Sequence, residues 1–338
     1  MQAIAVFATH GRRSASFAAR QIDFRHYSKS VIIFLFTICL ASTSYAQAPS
    51  LQGYASIISN PVTTLSKRVE EVNLVVTVTN KRGQIIDDLG ESDLQILDND
   101  RPPNRITYFQ NQTDLPLRVA LLVDSSDSIT RRFRFELEAA GTFLKQILRP
   151  NTDLALVEGF NQNVNLLQPL TADIELLTKG ISSLQPSGET AIYDAVTKAC
   201  QELMRRNETQ PVRKAIILIT DGEDNHSQVG LDQAVETALR AETAIYVVST
   251  NARPETPWAE KAAKAMQTLS ESTGGHILRS DADSRLGKAF RKLELEMRTQ
   301  YAIGYKPANT APDGLFHRLT VLGPKKLRVF HRQGYFAR

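Results

Sequence analysis

The 338-residue sequence predicts an α/β fold: a doubly wound, Rossmann-like, mostly parallel sheet, with an accessory β unit formed by the segments flanking it. Three observations predict this. First, Val119-Ala-Leu-Leu-Val123 and Ala215-Ile-Ile-Leu-Ile219 are continuous apolar runs, as strands covered on both faces require, and each leads into a carboxylate, Asp124 or (after Thr220) Asp221. Second, stripes of helical spacing alternate with such runs from Phe133 to Met297. Third, the hydrophobic period returns to two on both sides of that region.

Taken in order, the chain opens with Arg12, Arg13, Arg20, Arg25 and Lys29 before the apolar run Val31–Ala41 and the small-residue site Ser44-Tyr-Ala46. A basic stretch, a short apolar run and a small-x-Ala ending describe a secretory signal peptide over 1–46. Those residues hold five bases and one acid, Asp23, so they carry the whole formal charge of +4 and leave the rest of the chain neutral. A neutral mature chain offers no basic footprint for nucleic acid. It retains one cysteine, Cys200, on an apolar helix stripe, so no internal disulfide is expected and a buried thiol is.

Residues 47–68, rich in Ser, Thr and Pro, read as a linker. Over 69–115 the β-branched Val72–Thr79, the turn Asn80-Lys-Arg-Gly83, the short runs Gln84–Ile86 and Asp93–Leu97, and Arg105–Phe109 suggest a small β segment. From 116 to 299 six strands are expected, near Val119, Asp153–Val157, Asn163–Leu167, Ala215–Thr220, Ala244–Val248 and His276–Leu278. Helical stripes fall between them at Phe133–Leu148, Ile192–Leu203, Ala234–Leu239, Trp258–Leu269 and Leu286–Met297. From 300 to 338, Gln300–Tyr305, Phe316–Val321 and Lys326–Phe330 alternate again and complete the accessory unit. Neither β segment has enough strands to bury a face alone, so the two are expected to pack together.

Asp124, Ser126 and Ser128 lie at i, i+2 and i+4, where a turn at the end of a strand can aim a carboxylate and two hydroxyls at one point. Convergent hard oxygen donors suit Mg²⁺. Asp221-Gly222 ends a second strand, and Ser187–Asp194 carries Thr190 into a helix. Strand ends at a switch point of strand order are where open α/β sheets bind ligands. Other chemistries lack their residues. His226, His276, His317 and His331 share no zinc-ligand spacing, and neither a phosphate-binding G-x-x-x-x-G-K-[ST] loop nor a G-x-S-x-G elbow is present.

Together these segments resemble the von Willebrand factor type A domain and its metal-ion-dependent adhesion site. Asp124, Ser126 and Ser128 match the D-x-S-x-S motif, Thr190 the isolated threonine, and Asp221 the aspartate of T-D-G. The flanks, Val72–Phe109 and the tail Gly334-Tyr-Phe336, are similar to a bacterial secreted family of such proteins. The resemblance implies Mg²⁺ on those five residues, with Mn²⁺ or Ca²⁺ as substitutes, and a partner protein whose Glu or Asp carboxylate displaces a water from the ion. It implies a secreted or periplasmic binding protein, not an enzyme, with no nucleic-acid partner and no membrane insertion once the signal is cleaved.

The family usually has Gly where this chain has Asp127. Capping of the following helix is expected for that carboxylate, with closure of the metal site as the alternative. Glu223, Asp224 and Asn225 read as a solvated loop or a second, Ca²⁺-type site. Two rival functions stand beside the adhesion reading: a metal-assisted hydrolase, and a scaffold whose metal site is closed or lost.

Overall fold

The computed structural model describes residues 71–111, 115–130, 133–250, 256–279, 283–311 and 313–337. The expected signal peptide and linker, 1–68, lie outside the described residues.

The first strands are β1 (Val72–Asn80), β2 (Gln95–Asp98) and β3 (Arg105–Gln110). The central unit then runs β4 (Leu117–Asp124), α1 (Phe133–Ile147), β5 (Leu154–Phe160), β6 (Val164–Thr171), α2 (Ile174–Ser182), α3 (Ile192–Arg205), β7 (Arg213–Thr220), α4 (Leu231–Arg240), β8 (Thr243–Ser249), α5 (Pro257–Ser272), β9 (Ile277–Arg279) and α6 (Asp283–Arg298). Strands β10 (Tyr301–Lys306), β11 (Phe316–Leu322), β12 (Leu327–Phe330) and β13 (Gly334–Phe336) follow.

Six strands form one sheet in the order β6-β5-β4-β7-β8-β9, all parallel except the antiparallel edge strand β6. Every residue of β4 is buried, which its unbroken apolar run anticipates. Alternate side chains feed two separate cores. Leu117, Val119, Leu121 and Val123 face α1, α2 and α6, while Ala120 and Leu122 face α3, α4 and α5. Phe143 of α1 stacks on Phe290 of α6 with ring centres 4.6 Å apart. The strand order runs outward from β4 in both directions, so the crevice beyond the carboxyl ends of β4 and β7 is the switch point. Register brings those ends level, with Val123 opposite Ile219 and Asp124 opposite Phe160.

The flanking segments do pack together. β1 lies between β10 and β12 in the sheet β12-β1-β10-β3, and β2 joins β11 and β13 in a second sheet. Their shared core holds Leu74, Val76, Val78, Ile96, Tyr301, Ile303, Tyr305, Leu319 and Val321.

Several elements differ from the sequence reading, and β13 is a fourth strand where 300–338 was read as three. Helix α2 was not anticipated, yet its signals are present: Asp173 accepts from the backbone N–H groups of Glu175 and Leu176, and Leu177 and Ile181 are buried. Trp258 does not join the buried stripe of α5. It is 55% exposed, because it sits in the first turn, beside the Thr256 cap. Near Gln84–Ile86 the structure holds one isolated bridge, Thr79 to Ile85, rather than a strand.

Candidate metal centre

Asp124, the last residue of β4, is fully buried and both its oxygens accept hydrogen bonds. Ser126 N–H donates to Oδ1 at 2.9 Å, and Thr220 Oγ1 donates to Oδ2 at 2.7 Å. Thr220 ends β7, so its hydroxyl ties the two central strands together at their carboxyl ends. It also accepts from Gly222 N–H at 3.1 Å, which folds the chain sharply around Asp221. Gly222 has φ 99°, a conformation that favours glycine.

Burial pushes the Asp124 carboxyl up to about 6, against the hydrogen bonds from Thr220 and Ser126. The negative charge of Asp221 adds to the rise. Asp124 therefore feels the charge of Asp221, though the two are remote in sequence. Asp221 Oδ1 is buried and has no hydrogen-bond partner. Ser126 is buried, Ser128 is exposed, and their hydroxyls lie 2.9 Å apart.

Thr190 is buried on a third loop, and that loop is tied to the other two. Ser187 N–H donates to Ser125 O at 2.7 Å, and Asp127 N–H donates to Gly188 O at 3.1 Å. Gly188 has φ 74°, and a side chain there would meet Gln162 Oε1, which accepts from Glu189 N–H at 3.0 Å. Thr190 N–H donates to Asn225 Oδ1 at 2.8 Å, and Thr190 O accepts from the N–H groups of Asn225 and His226 at 3.0 Å. The sequence placed oxygen donors on three separate loops; the structure joins the loops.

Asp127 does not occupy the capping position expected of it. A 3-10 turn spans Asp127–Ile129, and its N-cap is Ser126, so Asp127 is the first residue inside the turn. Its carbonyl accepts from Thr130 Oγ1 at 2.8 Å, and the residue is exposed.

The loop after Asp221 is tied to the start of α3. Asp224 Oδ2 and Ser227 Oγ accept from Tyr193 N–H at 3.2 and 3.0 Å, and Ser227 Oγ accepts from Asp194 N–H at 3.2 Å. In return the Asp194 carboxylate accepts from the N–H groups of Gln228 and Val229. Because Ala191 at the N-cap of α3 has no side-chain acceptor, this distant loop satisfies the first N–H groups of the helix. His226 Nδ1 lies 2.6 Å from Glu189 Oε2 at the surface. Thr220 and Ser227 were missed as site-building residues, and Asp224 and Asn225 were read as a solvated loop or second site rather than as ties, because nothing local in Thr-Asp-Gly-Glu-Asp-Asn-His-Ser says which distant N–H groups they meet.

The donor set fits a divalent cation. Two carboxylates, one with an unpartnered buried oxygen, stand with hydroxyl groups where burial, and after it a neighbouring like charge, raises the pKa of Asp124. A hard cation relieves both the repulsion and the orphaned acceptor. Among the described residues no group of three or more His, Cys, Asp and Glu gathers as a ligand set. Cys200 is buried, and burial first, then Glu158, pushes its thiol up to about 12, so it is no nucleophile.

Comparison with known proteins places part of the chain in a family. A model of the von Willebrand factor type A domain family matches residues 119–223. The calcium-activated chloride channel regulator 1 of Bos taurus is 27% identical over 200 residues, covering 57% of this chain and 20% of that protein. The UPF0353 protein of Mycolicibacterium paratuberculosis is 30% identical over 206 residues, covering 53% of this chain and 60% of that one. The match thus spans a fifth and three-fifths of these relatives. Among solved structures, the von Willebrand factor type A protein from Catenulispora acidiphila aligns at 14% identity with a TM-score of 0.48, over 73% of this chain and 63% of that one. The family match begins inside β4 and ends just past Asp221, spanning all three loops: the chain carries a von Willebrand factor type A domain.

Proposed function

We propose that this protein is a secreted or periplasmic binding protein, not an enzyme, that captures a protein partner through one Mg²⁺ ion. The ion would be held by Asp124, Ser126, Ser128, Thr190 and Asp221, and Mn²⁺ or Ca²⁺ can substitute. The observation that carries the reading is the buried, unpartnered Asp221 Oδ1 near Asp124, whose carboxyl is held above its ordinary value by burial first and then by the charge of Asp221. Such a pair calls for a cation, and the remaining donors are neutral hydroxyls. A site with only two anionic ligands leaves Mg²⁺ able to take a further carboxylate from a Glu or Asp of the partner in place of a water. In this reading Asp124 and Asp221 supply charge, and the hydroxyls of Ser126, Ser128 and Thr190 orient the ion.

The exposed position of Asp127 supports an open site over a closed scaffold. The hydrolase reading needs a general base beside the ion. The one histidine on these loops, His226, is engaged with Glu189, and their side chains are 41% and 60% exposed. On this reading 116–299 is the partner-binding domain, 69–115 and 300–338 form its accessory unit, and 1–46 is removed on export with 47–68 as linker. No helix among the described residues is long and apolar enough to cross a membrane.

The test is calorimetric titration of the mature protein with Mg²⁺. About one ion should bind, and Asp124→Ala or Asp221→Ala should weaken binding at least about 10-fold, the worth of one charge-assisted contact, while far-UV circular dichroism is unchanged. Asp127→Gly should bind as well as wild type or better. Identical titrations for wild type and Asp124→Ala would refute the assignment.

A further inference from the structure

The loop that carries Thr190 is held by three different parts of the molecule, one N–H group at a time. Ser187 N–H goes to Ser125 O on the β4 loop, Glu189 N–H to Gln162 Oε1 on the β5–β6 turn, and Ala191 N–H to Asn161 O on that same turn. Thr190 N–H alone goes to the loop of Asp221, through the side chain of Asn225 at 2.8 Å. Asn225 also returns its own N–H to Thr190 O at 3.0 Å. One residue thus grips both the donor and the acceptor of the Thr190 peptide groups, and it sits four positions after Asp221.

We infer that Asn225 is a positioning residue of the metal centre: it locks Thr190 to the loop of Asp221, so that carboxylate and hydroxyl reach the cation as one preassembled unit. The inference rests on the metal reading above and assigns Asn225 no contact with the ion. The physical argument concerns register. The Thr190 hydroxyl has one side-chain torsion between it and the backbone, so its position follows the peptide that Asn225 holds. The next residues of the same loop, Asp224 and Ser227, bind N–H groups of α3 and fix the helix. They leave the N–H of Thr190 to the side chain of Asn225. Without the Asn225 side chain, Thr190 N–H loses its acceptor, and the loop of Asp221 holds the Thr190 peptide by its carbonyl alone, through the backbone N–H groups of Asn225 and His226. Mg²⁺ demands near-octahedral geometry and tolerates misplaced donors poorly, so loosening this one loop lowers affinity without removing any ligand.

The experiment uses the full mature protein, Mg²⁺ alone as probe, and two readouts. Amide hydrogen exchange in chelator reports the lock, and calorimetric titration reports the ion. In Asn225→Ala, exchange at Thr190 should quicken and the Mg²⁺ dissociation constant should rise, each by about 10-fold, as expected for loss of one hydrogen bond. Asn225→Asp keeps an acceptor at the same reach and should restore protection of Thr190 and most of the affinity. Faster exchange with unchanged affinity overturns the inference, and so does unchanged exchange. An affinity loss that Asn225→Asp does not rescue also overturns it. If wild-type protein takes up no Mg²⁺ at all, the metal reading falls instead, and the exchange data still judge whether Asn225 locks Thr190. Because Asn225 is exposed, both variants should fold, and circular dichroism verifies this.

Discussion

Asp124 shows how a residue suited to a ligand burdens the protein that lacks the ligand. Its folded carboxyl titrates near 6 against an ordinary value of 3.8, chiefly through burial. Between those values the metal-free fold binds a proton that the unfolded chain does not, so stability from this group is greatest in acid. It is lost as pH rises from about 4 to about 6, and beyond that it amounts to about 3 kcal/mol against the fold. In chelator, Asp124→Asn should therefore be more stable than wild type at pH 8, by about 1–3 kcal/mol, with the advantage vanishing near pH 4. Urea unfolding at the two pH values measures this. An advantage independent of pH would mean that the carboxylate is not the cause. Cys200 illustrates the opposite case: its place on an apolar stripe was enough to read a buried thiol.

At the scale of elements, helix α3 depends on a loop that follows it by some thirty residues. Asp224 and Ser227 accept from the N–H groups of Tyr193 and Asp194, in place of the local cap that Ala191 cannot supply. The double variant Asp224→Ala/Ser227→Ala should lose about 1–2 kcal/mol of unfolding free energy, as for other lost helix caps. The loss should show as faster amide exchange confined to the first turn of α3. A variant as stable as wild type would show that water replaces the cap at no cost. Sequence periodicity found the strands of the central sheet and five of its helices, since burial on one or both faces leaves a repeating pattern. It passed over α2, where the pattern is only nine residues long, and it put Trp258 in a core that α5 does not extend to at its first turn. The trans-cap was illegible, because hydrogen bonds between remote loops leave no period in the chain.

The whole molecule is threaded so that its accessory unit cannot form from either flank alone. β1 has β10 on one side, from Val72 opposite Tyr305 to Val76 opposite Tyr301, and β12 on the other, from Thr77 to Asn80. Removing the chain after Gln300 takes away both neighbours of β1 together with Tyr301, Ile303 and Tyr305 of the shared core. Limited proteolysis of that truncation should cut within 72–80 under conditions that leave the full-length protein intact. Equal resistance would show that the N-terminal strands hold together by themselves. By itself, the sequence determined what local pattern can carry: which stretches are doubly buried strands, which are amphipathic helices, and that oxygen donors end two strands and open a helix. The tertiary structure alone decided that Asp124 is buried near the charge of Asp221, that Asp221 Oδ1 is left without a donor, that Ser126 rather than Asp127 takes the cap position, and that Asn225 holds Thr190. The division has a physical origin. Burial imprints a period on the chain, whereas hydrogen bonds and charge interactions between loops depend on distances that only the packed strands set.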